Sequence, residues 1–84
     1  MKGTDFERLM KIAHTRGLLE SEARGLALRL ETRGELTEAA LRNELLFAVG
    51  RSRLRSRLIA WNLEDPDVEA IAKRVAHDMV EAMR

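Results

Sequence analysis

The sequence predicts an all-α fold, a compact bundle of four or five short helices in one domain over residues 1–84. Its 84 residues suffice for a single domain. Apolar residues recur three and four positions apart along most of the chain, which is the helical period. Aromatic residues make up only 4% of the chain, so the core must come from Leu, Ala, Val, Ile and Met, which suit helices.

The first two predicted helices, A and B, lie on either side of Gly17. Helix A begins at Thr4, because Thr4 and Glu7 fit a capping box, and Gly17 in the left-handed conformation ends it. Helix B begins with Ser21 as its N-cap and ends at Gly34. The alternative is one kinked rod. The expected core stripes are Phe6, Leu9, Met10 and Ala13 in helix A, and Ala23, Leu26, Ala27 and Leu30 in helix B.

Helix C is predicted to start at the capping residue Thr37 and to kink or break at Gly50. After Gly50 the apolar direction rotates, which indicates a separate helix to about Trp61. The stretch 51–58 also alternates as a strand would, but its neighbours favour a helix. The apolar positions of helix C are Ala40, Leu41, Leu45 and Ala48, followed by Leu54 and Leu58 beyond the break.

The last helix is predicted to start with Asp65 as its N-cap and Pro66 at the first helical position. Its apolar stripe is Val68, Ala72, Val75, Met79 and Ala82, flanked by Ile71, Ala76 and Met83. We expect this stripe to be core, with the seam of a homodimer as the alternative.

The composition excludes several classes of protein. The absence of cysteine excludes disulfides, thiolate chemistry and zinc sites with Cys ligands, and favours a cytoplasmic protein. The N-terminal residues lack the apolar core of a signal peptide, and the longest uncharged stretches of six residues are too short to span a membrane.

No arrangement of catalytic residues can be argued from the sequence. It has no Gly-rich phosphate loop, no Ser-His-acid set and no paired carboxylates. His77, Asp78 and Glu81 have a spacing that a metal could use, but such side chains on an exposed helix are more often solvated. We therefore expect no enzymatic activity, no metal and no cofactor.

The run from Arg51 to Arg57 is the most unusual feature of the composition. In a helix, its four arginines, at 51, 53, 55 and 57, would form two rows, one on either side of a ridge of leucines. The arginine side chains could then contact the phosphates of a nucleic acid. The alternative is that Arg51, Arg53, Arg55 and Arg57 pair with acids of a partner or of this chain, such as Glu64, Asp65, Asp67 and Glu69.

Residues 16–22 read Arg-Gly-Leu-Leu-Glu-Ser-Glu. This segment resembles the Arg-Gly-x-x-Glu-x-Asp signature of the small assembly factors that help to attach FAD to the flavoprotein subunit of succinate dehydrogenase. The resemblance extends over about residues 8–46 and includes Leu36-Thr37-Glu38. It implies a five-helix bundle in which Arg16, Gly17, Glu20 and Glu22 contact the flavoprotein near its FAD site.

The sequence departs from that family at two places. Glu22 stands where the family has Asp, and the Arg run replaces an acidic stretch before Trp61. The alternative interpretation of residues 16–22 is a helix C-cap followed by an ordinary connector. We therefore expect a non-catalytic protein-binding protein, an adaptor or an assembly factor for a flavoprotein. The alternatives are a nucleic-acid-binding module and a phage- or plasmid-type inhibitor protein.

Overall fold

The computed structural model describes residues 3–51, 55–56 and 65–83. Within these residues it contains three helices: α1 (Gly3–Thr32), α2 (Glu38–Gly50) and α3 (Asp65–Met83). The predicted all-α class is confirmed, but the described part holds three helices rather than four or five. The predicted helices A and B form the single helix α1. Most of the predicted helix between Gly50 and Trp61 lies outside the described residues. None of the described helices has the length and apolar character required to cross a membrane.

α1 runs without interruption through Gly17 and Ser21, so the predicted C-cap at Gly17 and N-cap at Ser21 are wrong. A glycine inside a helix costs only about 1 kcal/mol relative to alanine, which tertiary packing readily offsets. Here Thr15 and Leu19, on either side of Gly17, are both fully buried. A hydrogen bond of 2.8 Å from Arg16 Nε to Glu20 Oε1 also spans this turn of the helix.

Gly34 ends α1 as predicted, in the left-handed conformation with φ of 70°. The amide of Gly34 donates to the carbonyl of Glu31 at 3.0 Å, and the amide of Glu35 donates to that of Leu30 at 2.9 Å. These two bonds form a Schellman motif, which satisfies the last carbonyls of the helix. A residue with a side chain would be strained at this φ, so the glycine is required here.

α2 is capped as the sequence predicts. Thr37 has extended backbone and its hydroxyl accepts a hydrogen bond from the amide of Ala40 at 3.0 Å. The helix ends at Gly50, because Arg51 returns to extended backbone with ψ of 145°. Beyond this break, Arg55 and Ser56 are helical, which confirms the helical interpretation for these two residues. The predicted ridge of Leu54 and Leu58 lies outside the described residues.

All three helices contribute to one apolar core. The stripes predicted for helices B and C are confirmed, with Ala40 only half-buried. In α3 the prediction misses Val80, which is buried, and wrongly includes Ala82, which is exposed because it lies in the last turn beyond the packed residues. The buried core residues are Leu19, Ala23, Leu26, Ala27, Leu30, Leu41, Leu45, Ala48, Val68, Ala72, Val75, Ala76 and Val80.

The lengths of the helices determine which part of α1 is covered. At 1.5 Å per residue, α1 is about 45 Å long, α2 about 20 Å and α3 about 28 Å, and the longest dimension of the molecule is 45 Å. Arg8 pairs with Asp67 at 3.6 Å and Arg16 with Asp78 at 2.8 Å, so α1 and α3 run in the same general direction. The shorter helices cannot cover α1 along its whole length and all its sides.

Candidate interaction surfaces

Phe6, Leu9, Met10 and Ala13 form an exposed apolar face on the first turns of α1, called here the α1 apolar face. The side chains of Phe6, Leu9 and Met10 are 57%, 51% and 52% exposed, and Ala13 is also exposed. The prediction that these residues form the core stripe of helix A is therefore wrong. Their spacing of i, i+3, i+4 and i+7 places them on one side of the helix.

The α1 apolar face is exposed because another side of the same helix docks on the body of the protein. Thr15 and Leu19 point into the core, and Arg8 reaches Asp67 at the start of α3. At 100° per residue, the α1 apolar face points roughly opposite to the direction of Thr15 and Leu19. Between Phe6 and His14 no residue is buried, although Lys11 and Ile12 are half-buried.

Small residues continue the outer side of α1 beyond Ala13. Gly17, Ser21 and Gly25 follow at intervals of four and are all exposed. A Cβ atom built on Gly17 or Gly25 has no heavy atom within 4 Å in the structure as described. No close contact among the described residues therefore requires a glycine at either position.

The four residues of the predicted partner-binding cluster do not lie on a turn and do not form one group. Arg16 donates to Glu20 and, from Nη2, to Asp78 Oδ2, both at 2.8 Å. The hydrogen bonds to Glu20 and then to Asp78 raise the pKa of the Arg16 guanidinium above its ordinary value. Gly17 and Glu22 are exposed in the same helix, with Glu22 about 160° around the axis from Glu20.

The carboxylate of Asp78 joins α3 to α1. Its carboxylate accepts from Arg16 and lies 3.4 Å from Arg74 Nε. Its neighbour His77 points to α2, where its Nδ1 lies 3.0 Å from Glu38 Oε2. In the described ranges, no three His, Asp or Glu side chains come together as potential metal ligands.

A surface groove of about 350 Å³ lies between the start of α2 and α3. It is lined by Glu38, Ala70, Lys73, Arg74 and His77. The sequence did not indicate this groove, because it depends on how α2 packs across α3. Two of its basic side chains already lie close to carboxylates, namely His77 to Glu38 and Arg74 to Asp78.

Part of the predicted nucleic-acid surface falls within the described residues. Arg51 and Arg55 are exposed, while Arg53 and Arg57 lie outside the description. The guanidinium of Arg51 lies 4.7 Å from the centre of the Phe47 ring, which is a cation–π contact. Whether these arginines contact phosphates stays a prediction. Of the acids predicted to pair with them, Asp67 instead pairs with Arg8.

Thr15 is the buried polar residue that sequence reasoning missed. Its side chain is fully buried in α1, and its hydroxyl has no hydrogen-bond partner among the atoms that the structure describes. A buried hydroxyl without a partner is destabilising. Thr15 lies on the side of α1 roughly opposite to the α1 apolar face.

Neither a family of proteins, nor a characterised protein, nor a solved structure matches this chain.

Proposed function

We propose that this chain is a non-catalytic helical protein that binds another protein chain through the α1 apolar face. The observation that carries the proposal is the exposure of three large apolar side chains, Phe6, Leu9 and Met10, each more than half exposed on one helix face. Contiguous exposed apolar groups of this kind mark interaction sites. Anchors spaced at i, i+3, i+4 and i+7 are the pattern by which one helix binds a groove or a second helix.

Among the residues that the structure describes, the other large exposed apolar side chains do not form a comparable face. Leu28, Phe47 and Met83 lie on three different helices. Single exposed apolar residues are normal on protein surfaces and need no partner. Phe47 also has a contact of its own with Arg51.

The resemblance over residues 8–46 adds one specific partner to the proposal, a flavoprotein subunit. In this form of the proposal the α1 apolar face supplies the contact area and lies directly before the Arg16–Glu22 signature. Arg16 then acts mainly by holding α3 against α1 through Asp78, since both of its hydrogen bonds are within the chain. Glu22 lies on another side of α1, so in this proposal its exposed carboxylate does not hold α3 against α1.

Site-specific photo-crosslinking in the cells that produce the protein tests the proposal. A photo-reactive phenylalanine analogue replaces Leu9 in one variant and Phe47 in the control, which is similarly exposed but on α2. We expect a discrete protein adduct from position 9 that Phe6→Ala abolishes, and none from position 47. No adduct from position 9, or equal adducts from both positions, would contradict the proposal. An adduct with nucleic acid would favour the alternative based on the Arg run.

A further inference from the structure

We infer that the groove between α2 and α3 binds the phosphate group of a small molecule, with Lys73, Arg74 and His77 as its donors. The groove has a volume of about 350 Å³, and sites for small molecules measure about 300–1,000 Å³. The described residues that line it lie on α2 and α3, whereas the α1 apolar face lies on α1. The inference therefore goes beyond the proposed function and does not depend on it.

The three basic side chains meet in the groove because of their spacing on α3. Lys73, Arg74 and His77 stand at positions i, i+1 and i+4, which places them on one side of the helix. Ala70, one turn earlier on the same side, has only a methyl group, so space remains in the groove for a ligand. From Ala70 to His77 the helix rises by about 10 Å, a length that suits a small molecule.

Arg74 is held in place by Asp78 and keeps donors for a ligand. Its Nε lies 3.4 Å from Asp78 Oδ1, while Asp78 Oδ2 accepts a hydrogen bond from Arg16 Nη2 at 2.8 Å. Asp78 therefore divides one negative charge between two guanidiniums. The contact with Asp78 involves Nε, and the guanidinium has further N–H donors on its two terminal nitrogens. These donors can contact an anion in the groove while Nε stays at Asp78.

His77 is oriented by Glu38 from the α2 side of the groove. The Nδ1 atom of His77 lies 3.0 Å from Glu38 Oε2. When Nδ1 carries the proton it donates to Glu38, and a ring that is protonated on both nitrogens also donates from Nε2. Lys73 supplies the third donor. It is exposed, and among the described residues no carboxylate pairs with it.

The charges of the groove attract anions because they do not balance. Lys73 and Arg74 are positive, Glu38 is the one acid among the described lining residues, and protonation of His77 adds a further positive charge. A phosphate ester carries a charge of about −1.5 to −2 at pH 7 and three strong acceptor oxygens. Three donors therefore match a phosphate. A carboxylate matches less well, since it has a single charge and two oxygens.

Titration of the isotope-labelled full chain with phenyl phosphate, followed by NMR of the backbone amides at constant ionic strength, tests the inference. We expect saturable shifts at the residues that line the groove. The dissociation constant should be on the order of 1 mM, because the contacts are partly exposed to solvent. Benzoate, which has a carboxylate in place of the phosphate, should bind at least about fivefold more weakly.

Neutral variants test the charges of the groove one at a time. Lys73→Gln should weaken the binding of phenyl phosphate about fivefold, since it removes a charge that no described carboxylate offsets. The matched control is Lys11→Gln, which makes the same change of net charge on α1 and should leave the dissociation constant unchanged. Glu38→Gln should instead strengthen binding about twofold, because it removes a repulsive charge and keeps an oxygen for Nδ1 of His77.

Equal effects of Lys73→Gln and Lys11→Gln would overturn the inference, because only the net charge would then matter. Shifts of similar size at exposed arginines elsewhere, such as Arg29 and Arg33, would also overturn it, as would the absence of saturable shifts up to about 20 mM. Benzoate that binds as tightly as phenyl phosphate would contradict the choice of ligand.

A phosphoserine peptide separates a small molecule from a phosphorylated protein as the source of the phosphate. We expect the peptide to bind no more tightly than phenyl phosphate, since the groove is only about 10 Å long. Tighter binding of the peptide would overturn the assignment to a small molecule. None of these results affects the proposed function, which is tested by crosslinking from α1.

Discussion

Replacing Gly17 by alanine should stabilise the protein, whereas the same change at Gly34 should destabilise it. The sequence around these two glycines is similar, with Thr-Arg before each. In the structure Gly17 lies inside α1, whereas Gly34 has a positive φ of 70° just beyond its end. The two substitutions therefore test the same physical rule with opposite signs.

The expected magnitudes follow from the local geometry. A methyl group on Gly17 meets no heavy atom within 4 Å in the structure as described, so it introduces no clash. Alanine is favoured over glycine in a helix interior by about 0.8–1.0 kcal/mol, and this should appear as added free energy of unfolding. At Gly34 the left-handed conformation costs a residue with a side chain about 1–2 kcal/mol. The two variants should therefore differ by about 2 kcal/mol or more.

Urea denaturation followed by circular dichroism measures this difference. For a domain of this size, each kcal/mol corresponds to about 4–8 °C in melting temperature, so heating provides an independent check. A Gly17→Ala protein that is less stable than the original would refute the continuous α1. A Gly34→Ala protein of unchanged stability would refute the left-handed C-cap.

Further predictions concern the other polar contacts. Thr15→Val should raise the free energy of unfolding by about 1 kcal/mol in urea denaturation, because it removes a buried hydroxyl without a described partner; a loss of stability would reveal a partner. Thr37→Ala should cost about 1 kcal/mol through loss of the cap on Ala40, and an unchanged urea midpoint would exclude that cap. Arg16→Ala should cost about 1 kcal/mol or less in the same assay, since its two ion pairs are partly exposed to solvent; a loss of several kcal/mol would contradict this. An anisotropy titration with a labelled DNA duplex at two salt concentrations should show no binding, and affinity that falls steeply with salt would favour the Arg51–Arg57 alternative.

Sequence reasoning succeeded where local chemistry decides the structure. Gly34 ends a helix and Thr37 begins one because a positive φ and a free amide at a helix start each need a particular residue. The break at Gly50 was visible because the apolar direction changes there. The stripes of helices B and C were also correct, since each helix has a single apolar side.

Prediction from the sequence failed where long-range packing determines the structure. Gly17 and Gly34 have similar neighbours, but Thr15 and Leu19 are buried on either side of Gly17, and this packing favours a continuous helix there. The first turns of α1 carry two apolar directions, one through Phe6 and Met10 and one through Ile12 and Leu19. Which of them meets the core depends on where α3 lies, and a local pattern contains no information about that.

The bond between Arg16 and Asp78 joins positions 62 residues apart, from the first helix to the last. During synthesis α1 leaves the ribosome before α3 exists, so Arg16 cannot bind Asp78 until α3 has been made. When α3 docks, it completes the packing around one side of α1, while the α1 apolar face stays exposed. The three-helix core can therefore form only after α3 has been synthesised, so the contact between α1 and α3 is a late, long-range step of folding.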